Sequence, residues 1–108
     1  MIIPVTEANE EAWAELCAAL WPEVGKEHFL QERASGNLQN GYLYVVDGEA
    51  VAFISLSLRH DYVEGTASSP VAYLEGIFVK PAFRKQEIAR KLIEFSKNWA
   101  LERGCSEL

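Results

Sequence analysis

Apolar residues change their spacing several times along the 108-residue chain, and each change marks a new element. Ile2 to Val5 is a short β-branched run ended by Thr6, which predicts a first strand. Trp13, Leu16, Cys17 and Leu20 then recur at helical spacing on one face. Asn9 or Thr6 can cap that helix, and Glu10 and Glu11 suit its positive end. Trp21-Pro22 closes it, because the residue before a proline is steered away from the α region. A second, weaker helix is predicted over Lys26 to Ala34, carrying Phe29, Leu30 and Arg33, with a loop at Ser35-Gly36-Asn37 after it.

The period then shortens. Gly41 to Val46 and Ala50 to Arg59 flank Asp47-Gly48-Glu49, and Asp-Gly between β-rich runs predicts an antiparallel hairpin, since both turn positions tolerate positive φ. Asp61 to Pro70 holds turn formers with little to bury and leads to a further strand at Ala72 to Val79. After Pro81 a helix presents Ile88, Leu92, Phe95 or Ser96, and Trp99, and Gly104 ends it as a left-handed cap. Cys105 to Leu108 read as the start of another strand. The order β-α-α-β-β-β-α predicts an α+β domain over residues 1–108 that stops at the start of a fifth strand, and hence a chain truncated mid-pattern.

Composition fits a single core: 49% of residues are hydrophobic and 24% charged, and domains commonly run to roughly 100–150 residues. No apolar run is long enough to span a bilayer, and Met1-Ile2-Ile3-Pro4 does not resemble a secretory signal, so a cytoplasmic protein without a membrane partner is expected. Cys17 and Cys105 lack metal-ligand spacing, and no metal is expected. His28 and His60 have no partner at a telling spacing and read as structural or surface residues.

Charge adds more. Residues 1–79 sum to −9 and residues 80–108 to +3, with Lys80, Arg84, Lys85, Arg90 and Lys91 gathered against Glu87. An acidic body with one basic segment suits a polyanionic cofactor and a cationic second substrate better than nucleic acid. Solubilising surface charge is the alternative.

The basic segment joins the strand Leu74-Glu75-Gly76-Ile77-Phe78-Val79 to a helix through Lys80-Pro81-Ala82-Phe83 and then Arg84-Lys85-Gln86-Glu87-Ile88-Ala89. The first amides of a helix lack intrahelical acceptors and the dipole is positive there, so the arrangement can hold a pyrophosphate; a solvated basic turn is the competing reading. The same run resembles the acetyl-coenzyme A motif of the GNAT superfamily, in which Arg or Gln is followed by two variable residues, Gly, one variable residue, and Gly or Ala. Arg84, Ile88 and Ala89 fit, whereas Glu87 stands where glycine is usual and adds negative charge beside the phosphates.

Arg59-His60-Asp61-Tyr62-Val63-Glu64-Gly65-Thr66, Ser68-Ser69-Pro70-Val71 and Leu74 to Val79, with Leu20-Trp21-Pro22 and Gly104-Cys105, are similar to the aminoglycoside 6'-N-acetyltransferases. The resemblance implies a mixed sheet, acetyl-coenzyme A as cosubstrate, and a homodimer acting on an aminoglycoside or another cationic amine. It assigns the coenzyme to the main chain of Ile77, Phe78 and Val79 and to Arg84, Lys85, Gln86, Glu87, Ile88, Ala89 and Arg90. It assigns the acceptor to Trp21, Tyr62 and Glu75. Glu75 is also the candidate catalytic group, since a carboxylate in an apolar strand run needs a partner or a task, and acyl transfer requires the amine to lose a proton. A place on the strand's solvent face is the other reading of Glu75, and core packing that of Trp21 and Tyr62. The resemblance further implies a completed fifth strand, a fourth helix and two last strands beyond Leu108. Their lack here leaves three possibilities: a cut enzyme, a non-catalytic dimeric or coenzyme-binding module, or an acetyltransferase for a peptide or polyamine.

Overall fold

A computed structural model describes residues 1–34, 40–59, 71–84 and 87–105. In order these form β1 (Ile2–Pro4), α1 (Glu10–Leu20), α2 (Lys26–Ala34), β2 (Asn40–Val46), β3 (Glu49–Arg59), β4 (Val71–Val79), a 3-10 turn (Pro81–Phe83) and α3 (Ile88–Glu102). The element order is the expected one. The four strands make one sheet in the order β1-β2-β3-β4, and each pairing is antiparallel. The predicted Asp61 to Pro70 loop and the strand continuation at Ser106 to Leu108 lie outside the described residues.

The sheet has helices on both faces, and the burial pattern of each strand follows from that. On β3 the run Val51 to Leu56 is buried throughout, as a strand covered on both sides requires. Phe53 faces α1 and α2 with Leu43, Trp13, Leu16 and Cys17, whereas Ala52, Ile54 and Leu56 face α3 with Ile88, Leu92 and Trp99. The α3 stripe is as the periodicity predicts, with Ser96 fully buried and Phe95 packed at its margin. Trp99 Nε1 donates to the Tyr42 hydroxyl at 3.0 Å, which ties α3 to β2.

Local signals set the turns and ends. Asp47 and Gly48 both have positive φ, 50° and 80°, and Val46 pairs directly with Glu49, so the hairpin is closed by two residues. Gly104, at φ 80°, ends α3 in a Schellman arrangement, with Cys105 N–H donating to the Ala100 carbonyl and Gly104 N–H to that of Leu101. Cys105 is thereby buried against the α3 core. At the start of α1, Asn9 is the N-cap residue, but its side chain makes no capping bond. Its Oδ1 accepts from Thr6 N–H at 2.7 Å and its Nδ2 donates to the Pro4 carbonyl at 3.1 Å, so it braces the turn after β1. Thr6 likewise serves the turn, accepting from Ala8 N–H at 3.3 Å.

Candidate functional site

The central feature is a bulge in β4. Ser55 pairs with Gly76 and Leu56 with Leu74, which leaves Glu75 as an extra residue with no Cα partner on β3. A bulge bends its strand and re-aims the inserted side chain. The Glu75 carboxylate reaches Ser57, whose hydroxyl donates to Oε1 at 2.5 Å, and the group is half-buried.

Trp21 meets the same point from the other direction. As the C-cap residue of α1 it leaves the helix at φ −122°, ψ 72°, ahead of Pro22, and its indole turns in under the sheet. The ring stacks on Phe29 at 5.7 Å and tilts against Phe53 at 6.3 Å. It lies so close over Gly76 that a Cβ there would stand 2.5 Å from Cη2. Trp21 therefore packs in the core and also walls the residue beside Glu75. Residues 55 apart in sequence become neighbours because the end of α1 crosses the sheet at the bulge. Tyr62, the third expected acceptor residue, lies outside the described residues, as do His60 and the turn residues Lys85 and Gln86.

Beyond the bulge β4 is the sheet's edge among the described strands. Lys80 N–H donates to the Val51 carbonyl at 2.9 Å, and antiparallel pairing alternates from there. The main-chain groups of Phe78 and Gly76 thus turn toward β3, and those of Ile77 and Val79 turn outward. Arg84 agrees with this geometry: its Nε donates to the outward Val79 carbonyl at 2.9 Å, and its guanidinium sits 5.5 Å from the centre of the Phe78 ring. A groove of about 350 Å³ runs beside this edge between α1 and the ends of β3 and β4, with Ala12, Leu16, Ala19 and Phe78 as apolar lining and Glu15 and Lys80 among its polar residues.

The start of α3 completes the arrangement. Glu87 is its N-cap at φ 60°, ψ 18°, a left-handed conformation that favours glycine, and no side chain caps the helix. The amides of Ile88, Ala89 and Arg90 therefore project without intrahelical acceptors. Ile88 can offer only its main chain outward, because its side chain is buried in the α3 core. The basic segment does not act as one patch. Lys80 pairs with Glu49 at 3.3 Å, Arg90 bridges Glu87 and Glu94 at 3.5 Å each, and Lys91 turns to the Tyr44 ring on the α3 face.

Elsewhere, both cysteines are buried free thiols. Burial pushes the Cys17 thiol up to about 12 and makes it inert. His28 pairs with Glu32 at 3.2 Å on the surface of α2. Among the described residues no helix is long and apolar enough to cross a membrane.

Comparison with known proteins places this arrangement. The model of the Acetyltransferase (GNAT) family matches residues 5–108. The aminoglycoside N(6')-acetyltransferase type 1 of Serratia marcescens is 41% identical over 112 aligned residues, spanning 100% of this chain and 77% of the relative. Among solved structures, the aminoglycoside N-acetyltransferase AAC(6')-Iy in complex with CoA superposes with a TM-score of 0.85 at 35% identity, over 99% of this chain and 72% of that one. The same enzyme in complex with the bisubstrate analog CoA-S-monomethyl-acetylneamine gives a TM-score of 0.82 at 36% identity, over 99% and 75%.

Proposed function

Because the chain belongs to the GNAT acetyltransferase family, we propose that it transfers an acetyl group from acetyl-coenzyme A to the 6'-amine of aminoglycosides, with Glu75 as the group that receives the amine. The carrying observation is the bulge that aims Glu75 beside the Trp21 indole. Both solved structures compared are of one aminoglycoside acetyltransferase, once bound to CoA and once to a bisubstrate analog.

The residues divide the work by their chemistry. A 6'-amine is mostly protonated near neutral pH, and the Glu75 carboxylate both attracts the cation and takes its proton, directly or through one water. Tyr62, and the part of the Trp21 indole that Phe29 does not cover, offer flat aromatic surface for sugar rings. The outward N–H groups of Ile77 and Val79 suit an extended amide-bearing arm laid along the strand edge, and such a donor can stabilise negative charge growing on a carbonyl oxygen. The apolar groove beside Phe78 walls that arm. The open amides at the start of α3, with Arg84 and Lys85 and the neighbouring Gln86, suit a pyrophosphate. Acetyl-coenzyme A supplies the acetyl group when bound.

This reading includes a homodimer working in the cytoplasm, with neither nucleic acid nor membrane as partner. Glu75→Gln keeps the shape of the side chain but removes the base, so turnover with neamine should fall by about 10²-fold or more. Unchanged turnover would remove Glu75 from the mechanism. Coenzyme A release with peptides or polyamines, and none with neamine, would move the acceptor to another amine.

A further inference from the structure

The bulge that brings Glu75 out of register also takes its direction out of the control of the ladder. Ladder pairing fixes the direction of a strand side chain through its opposite neighbour, and Glu75 has none on β3. A glutamate has several rotatable bonds, so its carboxylate would sweep a wide arc unless something else oriented it. One such orienting bond comes from Ser57. This residue sits on β3 opposite Tyr73, two positions before Glu75, and its hydroxyl donates to Glu75 Oε1 at 2.5 Å, the short end of the range for a hydroxyl on a carboxylate.

Resting on the reading of Glu75 given above, we propose that Ser57 is a positioning residue, whose hydroxyl holds the Glu75 carboxylate in the one orientation from which it can take the proton of the incoming amine. Serine suits that task. Its short side chain sits on β3 one residue past the run Val51 to Leu56 that is buried throughout, so the donor is carried by a strand paired on both sides. Ser57 itself is only half-buried, at the margin where the site opens. Ser55, the next residue along on the same side of β3, pairs with Gly76 under the Trp21 ring and is too buried to serve an exchanging ligand. The bulge and the serine act together: one brings the carboxylate out of register, and the other fixes where it points.

The alternative is that the hydrogen bond only secures the bulge. Steady-state kinetics with neamine and acetyl-coenzyme A separate the two across Ser57→Ala, Ser57→Thr, Glu75→Gln and the double variant Ser57→Ala/Glu75→Gln. Positioning predicts that Ser57→Ala lowers kcat about tenfold with the neamine KM within about twofold, because orientation matters most where the proton moves. Ser57→Thr keeps the hydroxyl and should recover kcat to within about threefold of the unaltered chain, with melting temperature unchanged in both single variants. The double variant should be no slower than Glu75→Gln alone, since the serine acts only through the glutamate. If Glu75→Gln abolishes turnover and Ser57→Ala leaves it intact, the positioning role is wrong and the reading of Glu75 stands. Equal losses in Ser57→Ala and Ser57→Thr with lowered melting temperatures would make the bond a structural brace. A Glu75→Gln variant with full turnover would overturn both roles.

Discussion

Gly76 has no room for a side chain. A Cβ would lie 2.5 Å from Cη2 of Trp21, and that ring is held in place by Phe29, which stacks on it, and by Phe53, which is tilted against it. Gly76→Ala should therefore cost about 1–3 kcal/mol of stability, read from urea unfolding. In a Trp21→Leu background the same change should cost much less, and equal costs in both backgrounds would show that the close approach is not what excludes alanine. Cys17 makes a separate prediction through its proton. Its thiol is held protonated up to about pH 12 when folded, against an ordinary value of 9.0. Because the folded pKa is the higher one, the contribution is complete below pH 9 and is lost as pH rises from there toward 12. Stability should fall through that window by up to about 1.4 kcal/mol per pH unit, and Cys17→Ala should flatten the slope. At this scale the sequence picks out Glu75 from an unexpected charge in a strand, and Trp21 through the family resemblance. It is silent on their meeting, since nothing in local spacing says which part of a sheet the end of α1 will cross.

Among the elements, α3 carries the most consequential irregularity. Its N-cap, Glu87, occupies a left-handed conformation at φ 60°, and places a carboxylate beside the three open amides of the first turn. The two effects pull apart. The charge favours the helix by about 0.3–1 kcal/mol through the dipole, and for the same reason it competes with any anion seeking those amides. Isothermal titration with coenzyme A should show Glu87→Gln binding about two- to fivefold tighter than the unaltered chain, with a slightly lower melting temperature. Glu87→Gly, which also relieves the left-handed strain and lets phosphate approach the main chain, should bind tighter still. Identical affinities across the three would show that the α3 start does not hold the phosphates. The irregularity is legible as a motif departure, because only a position needing positive φ asks for glycine there. The rest of the element pattern is legible too, through Asp47-Gly48 for the hairpin, Trp21-Pro22 for the end of α1 and Gly104 for that of α3. The α1 cap is not, because a side chain such as Asn9 can bond forward to the helix or back to the preceding turn, and β1 supplies the closer partners.

Across the whole molecule, charge is divided along the chain as well as in amount. Residues 1–79 sum to −9 and contain Glu75 and Trp21, whereas residues 80–108 sum to +3 and contain the start of α3. Within the second part Lys80 pairs with Glu49 and Arg90 with Glu87 and Glu94, while Lys91 lies against the Tyr44 ring. The net charge of −6 leaves the far field dominated by the acidic part, a property of the sum that no single residue shows. A polycationic acceptor should be drawn toward it, and the effect should fade as salt shortens the screening length from about 30 Å at 0.01 M to about 10 Å at 0.1 M. The neamine KM should accordingly rise several-fold between about 0.01 and 0.3 M salt while kcat stays nearly level, since the contact proposed between Glu75 and the amine is short-range, where screening is weak. An acceptor with fewer amines should show a shallower rise. If the KM does not move with salt, the acidic charge serves solubility alone, and recognition falls to the short-range contacts of Glu75 and Trp21.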